Sequence, residues 1–79
     1  MPRFYFDFLD DGGTSVDETG AEFPSREAAK REALETLGVI ARDLGHRHLQ
    51  GHVAIHVRDD GDPPFLEVAV TLEVKPVSK

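Results

Sequence analysis

Four histidines within eleven residues have the clearest capacity for chemistry in this sequence: His46, His48, His52 and His56. Neutral imidazole is a favoured ligand for zinc, nickel and copper. His52 and His56 fall on one face of a predicted strand, about 13 Å apart in an extended chain, which is too far for one ion to bind both. If the preceding segment folds back, His46 or His48 reaches His52. The pattern therefore predicts a metal site of His46, His48 and His52, and the alternative interpretation is a solvated loop at a helix end.

Four acidic residues, Asp10, Asp11, Asp17 and Glu18, form a second cluster that resembles a set of calcium ligands. Calcium takes several carboxylate oxygens, but a calcium loop alternates its ligands in a pattern that is not present here. Asp10 and Asp11 instead precede two glycines, which is typical of a tight turn. We therefore interpret Asp10 and Asp11 as turn residues rather than as calcium ligands.

The serines are not arranged for nucleophilic catalysis. Ser15, Ser25 and Ser78 fall in a predicted turn, a helix cap and a tail, and none has a neighbouring base in a predicted pocket. Gly12 and Gly13 are not followed by a helix, so they do not predict a phosphate-binding loop. We expect no enzyme and no bound cofactor.

The composition narrows the class of protein further. The chain has 79 residues with a formal net charge of −6, from 15 acidic and 9 basic residues, and it has no cysteine. Binding to a phosphate backbone needs a basic stripe, so we expect no nucleic-acid partner. No run approaches the roughly 18 apolar residues of a membrane span, and the N-terminal segment lacks the pattern of a signal peptide. We therefore expect a cytoplasmic protein that does not bind membranes.

The first half of the chain predicts a hairpin followed by a helix. Residues 3–9 alternate so that Phe4, Phe6 and Phe8 share the core side. After the Asp-Gly turn we expect a short edge strand at 21–23, with another pairing near 15–17. Ser25 is a strong N-cap, and apolar residues then recur at helical spacing to about Leu44, with Gly45 as the C′ residue. The alternative is a helix that runs a turn further, toward Leu49. The alanines at the start of this helix are expected to pack on the three phenylalanines.

The second half predicts two further strands, at residues 52–58 and 65–74. Val53, Ile55 and Val57 alternate inward in the first. In the second, the even-numbered apolar residues point inward and Phe65 points outward with the other odd-numbered residues. The connecting segment 59–64 is dense in turn formers, Gly61 and Asp62 among them.

These elements predict an α+β fold of two layers in the order ββαββ. An antiparallel sheet of three to four strands is covered on one face by the single helix. Residues 1–74 are expected to form a single domain and residues 75–79 a flexible C-terminal tail. The uncovered face is a candidate interaction surface, whose most informative members are Tyr5, His56, Arg58, Glu67 and Thr71.

Several short motifs resemble a known family. The start Pro2-Arg3-Phe4-Tyr5-Phe6, the pair Asp11-Gly12, the segment Asp17-Glu18-x-Gly20-x-Glu22-Phe23, and the pairs Ala28-Ala29 and Glu32-Ala33 resemble short uncharacterised alphaproteobacterial proteins known as a domain of unknown function. The resemblance covers residues 1–74 and implies a fold rather than a chemistry. Members often have His or Asn at the position of Asp7, so the resemblance implies no role for this carboxylate.

A looser likeness connects the chain to antitoxin inhibitors of the HicB type, in which a hairpin precedes a helix that opens with Ser-x-x-Glu-Ala. Here Ser25 is followed by Arg26-Glu27-Ala28. The C-terminal DNA-binding extension of such inhibitors has no counterpart in this sequence.

We predict a small non-enzymatic protein-interaction or regulatory module that associates with a protein partner or with a second copy. A weak edge strand and an open sheet face are both routes to pairing. The alternative prediction is a metal-binding protein that uses the histidines at 46–56.

Overall fold

The computed structural model of the protein describes residues 1–60 and 63–78. Within these ranges one helix and five strands follow in the order β1 (Arg3–Asp10), β2 (Gly13–Ser15), β3 (Ala21–Glu22), α1 (Arg26–His46), β4 (Gly51–Asp59) and β5 (Pro64–Leu72). The sheet order is β2-β1-β4-β5, and β3 also pairs with β1. The predicted α+β fold is confirmed. The sheet has one strand more than the expected three to four because β2 and β3 each pair with a different part of β1.

The register of the three long strands puts their apolar residues on one side. Phe8 of β1 lies opposite Ile55 of β4, and Ile55 lies opposite Val68 of β5. Since side chains alternate along a strand, this register aligns the inward positions that the sequence predicted. The buried cluster between sheet and helix consists of Phe4, Ala29, Ala33, Leu37, Ile55, Val57 and Val68.

The N-terminus of α1 is capped as predicted, but its C-terminus differs. Ser25 is the N-cap, and its Oγ accepts a hydrogen bond from the Ala28 amide at 3.1 Å. The helix continues two residues beyond Leu44, so Gly45 lies inside it. The left-handed residue is His48, with φ of 59°. Histidine is one of the non-glycine residues that adopt this conformation more readily than most.

Two backbone hydrogen bonds complete this helix end. The amide of Leu49 donates to the carbonyl of Leu44 at 2.9 Å, and the amide of His48 donates to the carbonyl of Gly45 at 3.1 Å. This pair of bonds is the Schellman arrangement, in which the residue at C′ is left-handed. The position of His48 is therefore fixed by helix termination.

The helix lies over β4 and β5 rather than over β1. Ala29 and Ala33 are fully buried, and such small side chains allow the close approach of helix and sheet. Phe4 joins them in the buried cluster, whereas Phe6 and Phe8 are only partly buried. The side of β1 that faces the helix layer is therefore left partly uncovered.

Phe65 faces the core side, so the prediction that it points outward is wrong. Val57 pairs with Leu66 while Arg58 pairs with Pro64, which leaves Phe65 as the extra residue of a bulge. Its ring lies edge-on to that of Phe4, with centroids 6.1 Å apart.

Arg26, the first residue of α1, connects the helix to the β4–β5 hairpin. Its guanidinium lies 4.2 Å from the centroid of the Phe65 ring and is 2.6 Å from Oδ2 of Asp59. The β4–β5 connection runs from Asp59 to Pro64, and the predicted turn residues Gly61 and Asp62 lie outside the described residues.

Replacing Ser25 with Ala should lower the free energy of unfolding by about 1 kcal/mol, because the Ala28 amide loses its side-chain acceptor. Urea denaturation followed by circular dichroism measures this change. Ser25→Asp is the matched control, since aspartate also accepts the capping bond and should unfold within a few tenths of a kcal/mol of the parent. An equal loss in both variants would contradict the capping assignment.

Candidate functional site

The face of the sheet that points away from α1 contains all the residues predicted as an interaction surface. Tyr5 lies opposite Arg58 across the β1–β4 pair, and His56 lies opposite Glu67 across the β4–β5 pair. Thr71 lies opposite His52 on the same face. The structure thus brings Tyr5 and Arg58 together at the β1 side of the face and the others at the β5 side.

At the β1 side, Arg58 binds two separate parts of the chain. Its Nε donates to Oδ2 of Asp7 at 2.8 Å, and its Nη2 donates to Oδ1 of Asp7 at 3.4 Å. The same Nη2 donates to the backbone carbonyl of Asp17 at 2.8 Å. The Asp7 carboxylate in turn accepts the backbone amide of Asp17 at 2.8 Å. The peptide around Asp17 is therefore held from both its N–H and its C=O.

The side chain of Asp17 fills a gap in the ladder of β1. β2 pairs with residues 8–10 of this strand and β3 with Arg3 and Phe4, so Phe6 has no strand opposite it on that edge. Asp17 Oδ2 accepts the Phe6 amide at 3.1 Å, and Oδ1 accepts the amides of Thr19 and Gly20 at 3.0 Å each. One carboxylate thus replaces a missing strand and also shapes the turn that leads into β3. We call Asp7, Asp17 and Arg58 the carboxylate clamp.

Gly20 is required where the turn passes over Tyr5. Its φ is 72°, and a Cβ at this position would lie 2.8 Å from Cε2 of the Tyr5 ring and 2.9 Å from the carbonyl oxygen of Phe4. The Tyr5 ring also faces the Arg58 guanidinium, whose central carbon lies 4.5 Å from the ring centroid. The Tyr5 hydroxyl donates to Asp60 at 3.2 Å. Tyr5 is thus fixed by its neighbours.

The electrostatics of the carboxylate clamp favour its charged form. Burial alone would raise the pKa of Asp7, but the hydrogen bonds from Arg58 and from the Asp17 amide, with the Arg58 charge, lower it below the ordinary value. Burial likewise opposes ionisation of Asp17, and the three backbone amides with Arg58 lower its pKa. Burial and the hydrogen bond to Asp60 raise the pKa of Tyr5.

The histidines are not gathered at one point. His46 ends α1, His48 is the left-handed residue after it, and His52 bonds Thr71 through Nδ1 at 2.7 Å. His56 Nε2 lies 2.6 Å from Oε1 of Glu67. In residues 1–60 and 63–78, no three His, Asp or Glu side chains are grouped so that they could hold a metal ion. The site of His46, His48 and His52 stays a prediction.

Asp7 and Asp17 were not among the site residues predicted from the sequence. Asp7 occupies an outward strand position of ordinary appearance, and Asp17 was interpreted as part of an acidic cluster. The available signal was Asp17 followed by Gly20, since aspartate at the first position and glycine at the fourth are typical of a type I turn. No local pattern in the sequence indicates that Arg58 bonds to Asp17, because the two residues are 41 positions apart.

Replacing Asp17 with Asn should lower the free energy of unfolding at pH 7 by roughly 1–2 kcal/mol, because an amide cannot accept all the bonds that both carboxylate oxygens accept. Because the pKa of Asp17 in the folded protein lies below the ordinary value of about 3.9, the stability that its charge contributes is complete above about pH 5. It is lost as the pH falls through the lower folded pKa. The difference between the two proteins should therefore shrink in acid, as measured by urea denaturation between pH 7 and pH 2.

Asp11→Asn is the matched control, because Asp11 is an exposed aspartate in the β1–β2 turn. It should follow the parent protein across the pH range. A difference between Asp17→Asn and the parent that stays constant down to pH 2 would show that the Asp17 charge contributes nothing.

Comparisons with known proteins identify a family for this chain but give no fold or activity. No helix in the described part of the chain combines the length and the apolar character needed to cross a membrane. A comparison with curated proteins gave no match, and neither did a comparison with solved structures. A protein-family model with the description "Domain of unknown function (DUF6894)" matches residues 3–71. The match covers the helix and the five strands as far as Thr71 of β5, and the chain belongs to this family.

Proposed function

We propose that this protein is a small non-enzymatic interaction module that forms a twofold dimer by pairing β5 with β5 of a second copy. β5 lies at the end of the sheet order, and among the described residues it pairs with β4 alone. Its outer edge therefore has backbone donors and acceptors that another strand can bind. The proposal keeps the sequence-based expectation of a cytoplasmic protein.

The backbone groups available on that edge follow from the position of the carboxylate clamp. The Phe6 amide points toward Asp17, and therefore away from β4. Backbone direction alternates along antiparallel strands, so Val57 opposite Phe6 bonds toward β5, and so does Ile55. Val68, opposite Ile55, then bonds toward β4. The residues whose N–H and C=O groups point to the free edge are Glu67, Ala69 and Thr71.

The centre of β5 lacks the features that usually protect an edge strand. Pro64 and the bulge at Phe65 interrupt its N-terminal end. From Val68 to Leu72 the strand has no proline, charge or bulge. Natural proteins usually place such features on exposed edges to prevent pairing with another chain. This regular segment is the observation that carries the proposal.

Charge favours one register for the twofold pair. A twofold axis at Ala69 places this residue opposite its own copy and Glu67 opposite Thr71 of the partner copy. An axis at Glu67 would place two like charges directly opposite each other, which is destabilising. We therefore expect the axis to lie at Ala69 rather than at Glu67.

The helix supplies an exposed apolar side chain on the same side of the domain as the free edge of β5. Leu34 is 48% exposed. Leu34 is two residues from Glu32 and two residues from Thr36. Two residues correspond to about 200° around a helix, so Leu34 lies on the flank of α1 opposite to both. Because Glu32 and Thr36 border a groove with Phe6 and Phe8 of β1, Leu34 lies on the side of β5. In the proposed dimer, Leu34 flanks the seam between the two sheets.

The first test is sedimentation equilibrium at several protein concentrations. The parent protein should show a concentration-dependent transition from 8.7 kDa to twice that mass. Ala69→Pro removes an outward N–H and should weaken the dimer at least tenfold, whereas Ala69→Ser keeps the N–H and should associate like the parent. A parent species that stays at 8.7 kDa at every concentration would exclude the dimer.

A second pair of variants leaves the strand unchanged. Leu34→Glu puts two like charges beside the proposed seam and should weaken association. Val39→Glu is the matched control on the same helix, since Val39 is 69% exposed and lies about 140° around the helix from Leu34. Equal dissociation constants for the two variants would contradict the proposed position of the interface.

A further inference from the structure

A groove of about 560 Å³ runs between α1 and the segment that joins β2 to β3. Its floor is apolar and includes Phe6, Phe8, Phe23 and Ile55. Ligand sites commonly have volumes of about 300–1,000 Å³ and combine an apolar lining with a few polar groups. The groove has the size and the floor of a site for a small molecule.

The groove exists because the helix is displaced from β1. α1 covers β4 and β5, so Phe6 and Phe8 are left only partly buried. Phe23 packs edge-on against Phe6, with ring centroids 5.7 Å apart. Aromatic side chains are thus available to a ligand without displacing any element of the fold.

The carboxylate clamp makes the far wall of the groove rigid. Asp17 is held through its amide, its carbonyl and both carboxylate oxygens, and the amides of Thr19 and Gly20 bond to it. A preformed wall lowers the entropy lost when a ligand binds. The segment that would otherwise be a mobile loop therefore serves as a fixed side of the site.

The rim of the groove is acidic. Glu32 of α1 borders it on one side and Glu18 on the other, in addition to Asp17. Arg58 forms its ion pair with Asp7 and donates to the backbone carbonyl of Asp17, whose carboxylate accepts three backbone amides. Glu18 and Glu32 have no ion-pair partner among residues 1–60 and 63–78. In the same ranges no lysine or arginine lines the groove. An anionic ligand is disfavoured here, and a cation is favoured.

From this geometry we infer that the groove binds a small organic cation, with its apolar body on Phe6, Phe8 and Phe23 and its ammonium group between Glu18 and Glu32. Thr36 adds a hydroxyl at the helix side. The inference does not depend on the proposed dimer, since the groove lies at the β1–β2 side of the sheet and β5 lies at the opposite edge.

The test uses three probes with the same phenyl body and a different head group: phenethylammonium, phenethyl alcohol and hydrocinnamate. Each is titrated into the full-length protein while amide chemical shifts are followed by NMR. The cation should give saturable shifts at Phe8, Thr19, Ala21 and Thr36 and should bind roughly three- to tenfold tighter than the alcohol. The anion should bind more weakly than the alcohol.

Charge-neutral variants locate the ammonium group. Glu32→Gln should weaken the binding of phenethylammonium roughly three- to fivefold and leave that of phenethyl alcohol unchanged. Glu35→Gln is the matched control, because Glu35 is an exposed glutamate of the same helix that does not line the groove. It should leave the binding of both probes unchanged.

Three results would overturn the inference. These are the absence of saturable shifts with the cation at millimolar concentration, equal binding of all three probes, and equal effects of the Glu32 and Glu35 variants. Sedimentation of the same samples keeps this test separate from the dimer, because binding at the groove should not change the mass of the protein.

Discussion

The hydrogen bond from the Phe6 amide to the Asp17 carboxylate is the constraint on which the rest of this structure depends. β2 and β3 are too short to pair with the whole edge of β1, so an amide in the middle of that strand would otherwise lack a protein partner. A carboxylate can accept several N–H groups at once, and Asp17 accepts three. Arg58 and Asp7 then hold the peptide around it.

This arrangement gives the two edges of the sheet different properties. On the β1 side, two short strands and a side chain satisfy the backbone, and the connecting segment stands away from the helix to form one wall of the groove. On the β5 side, no strand of the described ranges covers the outward backbone groups of Glu67, Ala69 and Thr71. A small domain can in this way keep one edge for a ligand and the other for a second copy.

The sequence was sufficient to predict the elements of the fold that depend on regular periodicity. Alternation predicted β1, β4 and most of β5, and the cap at Ser25 predicted the start of α1. It failed at Phe65, because a bulge reverses the side of a residue without any change in the pattern of residue types. His48 was also missed as the left-handed residue, since Gly45 is the more usual choice and the helix continued past it.

The candidate site was predicted in outline but not in its most important contacts. The open face and the members Tyr5 and Arg58 followed from strand alternation alone. Their tie to Asp17 depends on a turn around Gly20, which the spacing of Asp17 and Gly20 indicates, and on the pairing of β1 with β4, which no local pattern encodes. The contacts of Arg58 with Asp7 and Asp17 join residues that are distant in sequence, and a single sequence gives no signal for them.

Hydrogen exchange of the Phe6 amide tests the central claim most directly. In the parent protein this amide should be protected to the same degree as its neighbours in β1 that pair with β2. In an Asp17→Ala variant that remains folded, it should exchange about tenfold faster or more, because its acceptor is gone. An equal exchange rate at Phe6 in the two proteins would contradict the account.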